Sequence, residues 1–244
     1  MSVLRDSGGV EAFVCDDRAM NKYLQFDDPK RGPTPFLTTP DLLTLLHRRG
    51  VITAKELAVA REKLRAAGAS LIQPDGEELF LAARGSNWSI GPNAELRNIR
   101  DAIHLPIARG LLQLPQERIW VKSVSMQIGM TIRRIWQDFD EPGGAARAAS
   151  YLLDMIPDVA ALAADDASVD RDLWVQDVSR HTLWAIASIF DLSTDKLQAY
   201  RQWFTTHVAP SAARRDPGAI EAVARTLFNF LDNLPRDESE HDEN

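Results

Sequence analysis

A lone cysteine, Cys15, is all the thiol this chain of 244 residues carries. No internal disulfide can form, and no Cys or His stands beside it at zinc spacing. With no local base next to it, Cys15 reads as a small core residue of a short strand rather than as a nucleophile. Long apolar runs are also missing: none approaches the ~18 residues that span a bilayer. The start, Met1-Ser2-Val3-Leu4-Arg5-Asp6-Ser7-Gly8-Gly9, lacks the charged-then-apolar order of a signal peptide. The expectation is a cytoplasmic protein with no membrane partner. Positive charge is short as well, since 28 Lys and Arg face 35 Asp and Glu for a net −7, which argues against holding nucleic acid by bulk electrostatics. Much of the acidic excess falls in residues 235–244, a stretch with nothing apolar to bury and therefore expected to be disordered. There is no phosphate-cradling loop either, because Gly143-Gly144 has neither a preceding strand nor the required Lys. His-Glu-x-x-His, the paired Glu-x-x-His of di-iron bundles and the nucleophile elbow are all absent.

What the chain has, near its start, is a pair of short apolar runs that end in acid. Phe13-Val14-Cys15-Asp16-Asp17 is the first, and Phe36-Leu37-Thr38-Thr39-Pro40-Asp41 is the second. A run of strand length that stops at Asp and gives way to a helical pattern puts the carboxylate at the carboxyl end of a strand, where open α/β sheets keep their ligand crevices. Side by side, two such units aim two acids at one spot, the geometry that a hard divalent cation needs. Between them, Gln25 to Pro35 reads as a turn-rich linker. Thr39 and Pro40 fit the N-cap and first position of a helix over 41–49 that Gly50 ends. Thr53 with Glu56 makes a capping box for a helix over 54–67, and residues 69–73 read as a further strand.

This order, an acid closing one strand, then a strand ending Thr-x-Asp-x-Leu, a helix, a Gly and another helix, resembles the C-terminal half of a PIN domain. Asp16 or Asp17 matches the family's third acid, and Thr39 with Asp41 matches its fourth-acid motif. The resemblance covers residues 1–85. It implies a three-layer α/β module and a metal-dependent endoribonuclease, with Asp16, Asp17 and Asp41 holding Mg2+ or Mn2+, Thr39 orienting ligand or water, and RNA as substrate. A whole PIN domain opens with a strand carrying its first Asp, and a later helix supplies a Glu. Too little chain precedes Asp16 for either, so the remaining acids are expected from an upstream segment or a protein partner. The layout is also similar to the C-terminal end of large bacterial proteins in which a PIN domain accompanies helical repeats and a transcript-cleavage-factor-like module, components of stress, toxin–antitoxin or defence systems.

A turn-rich stretch, Arg84 to Pro92, reads as the boundary of that module, and beyond it the helical period dominates. Residues 92–234 are expected to form an antiparallel α-helical bundle, which makes the whole chain α+β and mostly α. Leu96, Ile99 and Ile103 line one helix that should break at Pro106. A long helix opened by Pro115 carries Val121, Val124, Ile128, Ile132 and Ile135 on one face, and Glu141-Pro142-Gly143-Gly144 reads as a break after it. Most of the six tryptophans fall on apolar stripes and read as core. His181, beside Asp177 on a helix, reads as a core-edge histidine hydrogen-bonded to a neighbour. The pairs Arg48-Arg49, Arg133-Arg134 and Arg214-Arg215 read as solvated helix ends and turns.

Two readings compete with a nuclease. In one, 41–73 is a winged helix with 54–67 as recognition helix, although Glu56 and Glu62 sit among its Lys55, Arg61, Lys63 and Arg65. In the other, the chain is a non-catalytic helical interaction or scaffold protein. Two carboxylates alone hold magnesium poorly, because the ion surrenders its waters reluctantly.

Overall fold

Phe13, Phe26 and Phe36 hold a small sheet together. The Phe13 ring sits 6.1 Å from that of Phe26 and 5.7 Å from that of Phe36. The computed structural model describes residues 12–16, 23, 25–28, 32–112, 115–159, 171–189 and 192–232. Its strands are β1 (Phe13–Val14), β2 (Gln25–Asp28) and β3 (Gly32–Leu37), in the order β1-β3-β2. β1 runs parallel to β3, with Phe13 beside Phe36, and β2 runs antiparallel to it, with Phe26 beside Thr34.

The segment expected to be a linker is therefore mostly a hairpin. Prolines normally bar a central strand, because they cannot donate to the ladder. Here Pro33 and Pro35 lie four and two residues before Leu37, whose carbonyl accepts from the Cys15 N–H. Backbone groups alternate sides along a strand, so both prolines turn their missing N–H toward β1. That strand pairs only with Phe36 and Leu37, so no donor is wanted there.

Helix α1 (Thr39–Arg48) follows β3 directly, and α2 (Ala54–Ala66) packs beside it. The N-cap of α1 is Thr38, one residue earlier than expected, because only Thr38 has an acid at the third helical position, Asp41, to close a capping box. The expected box of Thr53 and Glu56 opens α2. There the Thr53 backbone and hydroxyl hold the Glu56 carboxyl below its ordinary range.

Residues 69–73 form no strand. Gly68 ends α2 at φ +73°, and Leu71 then adopts φ +64°, which a pleated strand does not allow. Helix α3 (Gly76–Arg84) follows, capped by Asp75 with Glu78 reaching back. Although it precedes the expected boundary, α3 sends Leu79, Phe80 and Ala83 into the core of the helical part. The Arg84 to Pro92 stretch is the tight turn between α3 and α4 (Ala94–Ala108), where Trp88 Nε1 donates to the Ala83 carbonyl at 2.8 Å. Helix α4 passes through Pro106 rather than stopping at it, and Pro106 is itself buried.

The core is built around α5 (Pro115–Asp138), whose Val121, Val124, Ile128, Ile132 and Ile135 are fully buried, as the heptad-like stripe requires. Each contributes about 1.5–3 kcal/mol. Helix α6 (Pro142–Met155) starts at the expected break, with Pro142 in its first turn and Gly144 buried. Helix α7 (Arg171–Ala187) lies along α5 in the same direction. Lys122 meets Asp177 at 2.6 Å near one end of the contact, and Gly129 meets Ala185 near the other. The bundle is thus not antiparallel throughout.

Helix α8 (Thr194–Trp203) passes through one π turn, Phe204–Val208, into α9 (Ala209–Arg215). The wide turn precedes Pro210, which has no N–H to offer a regular helical ladder. Trp136, Tyr200 and Trp203 pack in edge-on and tilted contacts with centroids 5.5–6.0 Å apart, and Trp203 Nε1 donates to Ser150 Oγ at 2.9 Å. Helix α10 (Ala219–Asp232) closes the described chain. The acidic segment 235–244 lies outside the described residues. No helix of the described residues is long and apolar enough to cross a membrane.

Candidate functional site

Asp16 follows β1, and Asp41 sits in the first turn of the helix that follows β3. Because those strands are parallel neighbours, both carboxylates reach the same helix N-terminus. There they meet backbone N–H groups that the helix leaves without partners. Thr39 donates its N–H to Asp16 Oδ1 at 2.8 Å and its hydroxyl to Asp16 Oδ2 at 2.6 Å. Asp41 Oδ2 accepts from the Thr38 N–H at 2.9 Å and from the Thr38 hydroxyl at 2.7 Å, while the Asp41 N–H donates back to Thr38 Oγ1 at 3.3 Å. Two acids at the positive end of α1 also suit the helix dipole. Asp17 lies outside the described residues.

The fit of this donor set to Mg2+ or Mn2+ can be judged from its chemistry. Such an ion is held by carboxylates that are open to it, with waters and phosphate completing the shell. Here both oxygens of Asp16 and one of Asp41 already accept hydrogen bonds, and Thr39, expected to orient a ligand, spends its hydroxyl on Asp16. Among the described residues, no three His, Cys, Asp or Glu side chains gather closely enough to hold a metal ion. The described residues therefore fall short of a metal centre.

These side chains nonetheless line a cleft of about 560 Å3 between the N-terminus of α1 and the first turns of α5. Asp16, Thr39 and Asp41 form one wall. Glu117, Trp120 and Ser123 come from α5, and Leu64 and Leu71 come from α2 and the segment after it. Leu71 holds its left-handed conformation at a cost of order 1 kcal/mol. Glu117 and Trp120 are buried, and the Trp120 Nε1–H has no acceptor. Sequence reasoning missed Glu117, Trp120 and Ser123 as lining the same cleft as Asp16. They stand far along the chain, and their only local signal is the Pro115 that opens their helix.

The would-be recognition helix, α2, leaves Lys55 and Lys63 exposed but turns both of its arginines inward. Arg65 is almost fully buried, pairing with Glu78 and lying 2.9 Å from Glu95, and Arg61 lies 3.6 Å from Asp75. Those guanidinium groups are turned to protein rather than offered to phosphates, which weighs against a winged-helix reader.

His181 is exposed rather than at the core edge, and its Nδ1 lies 3.0 Å from Asp177 Oδ1 and 2.7 Å from the Asp177 carbonyl. Asp177 also binds Lys122. These contacts form an exposed polar cluster on α7 and its neighbour α5. His104 is half-buried in α4; burial and the nearby Arg100 depress its pKa.

No family model, no curated protein and no solved structure matches the chain.

Proposed function

We propose that this chain is a non-catalytic binding module in which a small α/β unit rests on a helical bundle and the cleft between them receives a partner or ligand. The observation that carries the reading is the use of the two carboxylates. Asp16 is tied at both oxygens to Thr39, and Asp41 closes the capping box of Thr38. Groups that stabilise a helix end in this way act as structural caps, and removing either acid exposes backbone donors rather than disabling chemistry.

The alternative is a PIN-like, Mg2+- or Mn2+-dependent ribonuclease of a bacterial stress or defence system, completed by acids from elsewhere. One observation favours it: β1 and β3 are parallel neighbours whose following acids converge on one helix. An RNA cleavage assay with Mg2+ and with Mn2+, run on the wild type, Asp16→Asn and Asp41→Asn, tests the binding-module reading. The binding-module reading expects no metal-dependent cleavage in any of the three. Cleavage by the wild type that disappears in Asp41→Asn while the fold persists would establish the nuclease instead.

A further inference from the structure

The core of the helical part stops short of the α/β unit. It gathers side chains from Leu79 to Val223 and leaves out Phe36, Leu57 and Ile72, which are buried before α3. Among the described residues before α3, only Leu71 packs an apolar side chain against that core. Charge crosses the joint instead. Arg65 of α2 pairs with Glu78 of α3 and lies 2.9 Å from Glu95 of α4, and Arg61 lies 3.6 Å from Asp75. Arg109, just past α4, adds a long contact of 3.4 Å to Ser70 Oγ. After α2 the chain crosses to the bundle once, through residues 67–75, which form neither helix nor strand. Ile72 and Pro74 are buried within that link, so it permits a tilt rather than free swinging.

Parts joined by polar contacts and one irregular link move against each other unless a large apolar interface prevents it. We propose that β1, β3, α1 and α2 tilt as one body against the bundle, and that the Arg65 pairs are the latch holding the cleft between α1 and α5 at its present width. One wall of that cleft, Asp16, Thr39 and Asp41, belongs to the tilting body, and the other, Glu117, Trp120 and Ser123, belongs to α5. The bonds from Thr39 to Asp16 and the packing of α1 on α2 keep the body whole. The latch is near balance by its chemistry. Closed, the Arg65 side chain is 4% exposed and that of Glu78 11%, so their attraction is set against the cost of taking both from water. Opening gives up the attraction and recovers that cost.

The test is a set of amide residual dipolar couplings from the whole chain, weakly aligned, for the wild type, Arg65→Met, and Arg65→Met combined with Glu78→Leu. In Arg65→Met the Glu78 carboxylate lacks its cation when the latch is closed and is hydrated when it is open, so the open form gains population. The alignment tensor reported by α1 and α2 is expected to shrink or rotate relative to that of α5 and α7, while the couplings within each helix still fit a helix. Adding Glu78→Leu makes the closed contact apolar and is expected to restore the wild-type relationship. Tensors unchanged in Arg65→Met, or a change that Glu78→Leu does not reverse, would overturn the inference. So would couplings from α1 and α2 that fit no helix, because Arg65 would then hold the unit together rather than in place. Glu78→Gln, which keeps the shape and removes the charge, serves if Arg65→Met does not fold; it should move the tensors the same way, and unchanged tensors would overturn the inference. The tilt does not depend on whether Asp16 and Asp41 are caps or metal ligands, so its failure leaves the binding-module reading standing, and RNA cleavage lost in Asp41→Asn would overturn that reading alone.

Discussion

Thr39 binds Asp16 twice, through its backbone N–H at 2.8 Å and its hydroxyl at 2.6 Å. The two residues are separated by the whole β2–β3 hairpin. The contact fastens the end of β1 to the first turn of α1 and, with the parallel pairing of Phe13–Val14, fixes where the acid side of the cleft lies.

Thr39→Val removes the hydroxyl and keeps the backbone donor. It should cost about 1 kcal/mol, the net value of one such hydrogen bond. The loss should be local. Hydrogen exchange at Val14 and Cys15 should quicken while the α5 amides stay protected, and uniform loosening of both regions would contradict this role.

Gly129 marks a close approach of α5 and α7. A Cβ there would stand 3.0 Å from Ala185 Cβ and 3.1 Å from the Thr182 carbonyl. Gly129→Val should therefore destabilise the chain by about 2 kcal/mol or more, overpacking outweighing any gain in helix propensity. Urea denaturation reads the change directly, and a midpoint at or above that of the wild type would show that the helices can part freely.

Arg65 sits between Glu78 and Glu95 with its side chain only 4% exposed. Arg65→Met leaves Glu78 nearly buried and without its cation, a loss of about 3 kcal/mol. Adding Glu78→Leu should restore most of that stability, because an apolar pair replaces the buried ionic one and the carboxylate left without its cation, Glu95, is 34% exposed to water. A double variant no more stable than the single one would mean that Arg65 acts through packing of its stem rather than through its charge.

His104 gives the fold a pH dependence of known sign. Burial, then the charge of Arg100, depresses its pKa below the ordinary 6.5. Above that value the histidine is neutral in both the folded and unfolded chain, and its contribution to stability is fully present. As pH falls below it, the unfolded chain takes up a proton that the folded one resists, so stability declines. Thermal unfolding between pH 8 and pH 5 should show this decline, and it should be shallower in His104→Gln. An identical slope in the variant would assign the decline to other groups.

Several parts of the structure were legible in the residues themselves. The capping box of Thr53 and Glu56 is a local hydrogen-bond pattern, and the Val121 to Ile135 stripe is a matter of period; both stand where the sequence puts them. The convergence of Asp16 and Asp41 also followed from apolar runs that end in acid. What escaped depends on neighbours. Pro33 and Pro35 hid the first part of β3, because their missing N–H groups do no harm only where β1 stops short. The capping box of Asp75 and Glu78 was hidden inside a Pro-Asp-Gly turn signal, and with it α3 and the buried Phe80. The cleft was hardest of all. Glu117 and Trp120 reach it only through the packing of α5, and nothing near them in sequence points toward Asp16.

The central claim, that Asp16 and Asp41 are caps and not metal ligands, is tested most directly by a calorimetric Mn2+ titration of the wild type beside Asp41→Asn, at matched pH and ionic strength. The result predicted is no saturable heat from either protein, with Asp41→Asn melting at a lower temperature because the box at Thr38 is weakened. Saturable binding by the wild type that vanishes in Asp41→Asn would contradict the claim and put a metal centre at the head of α1.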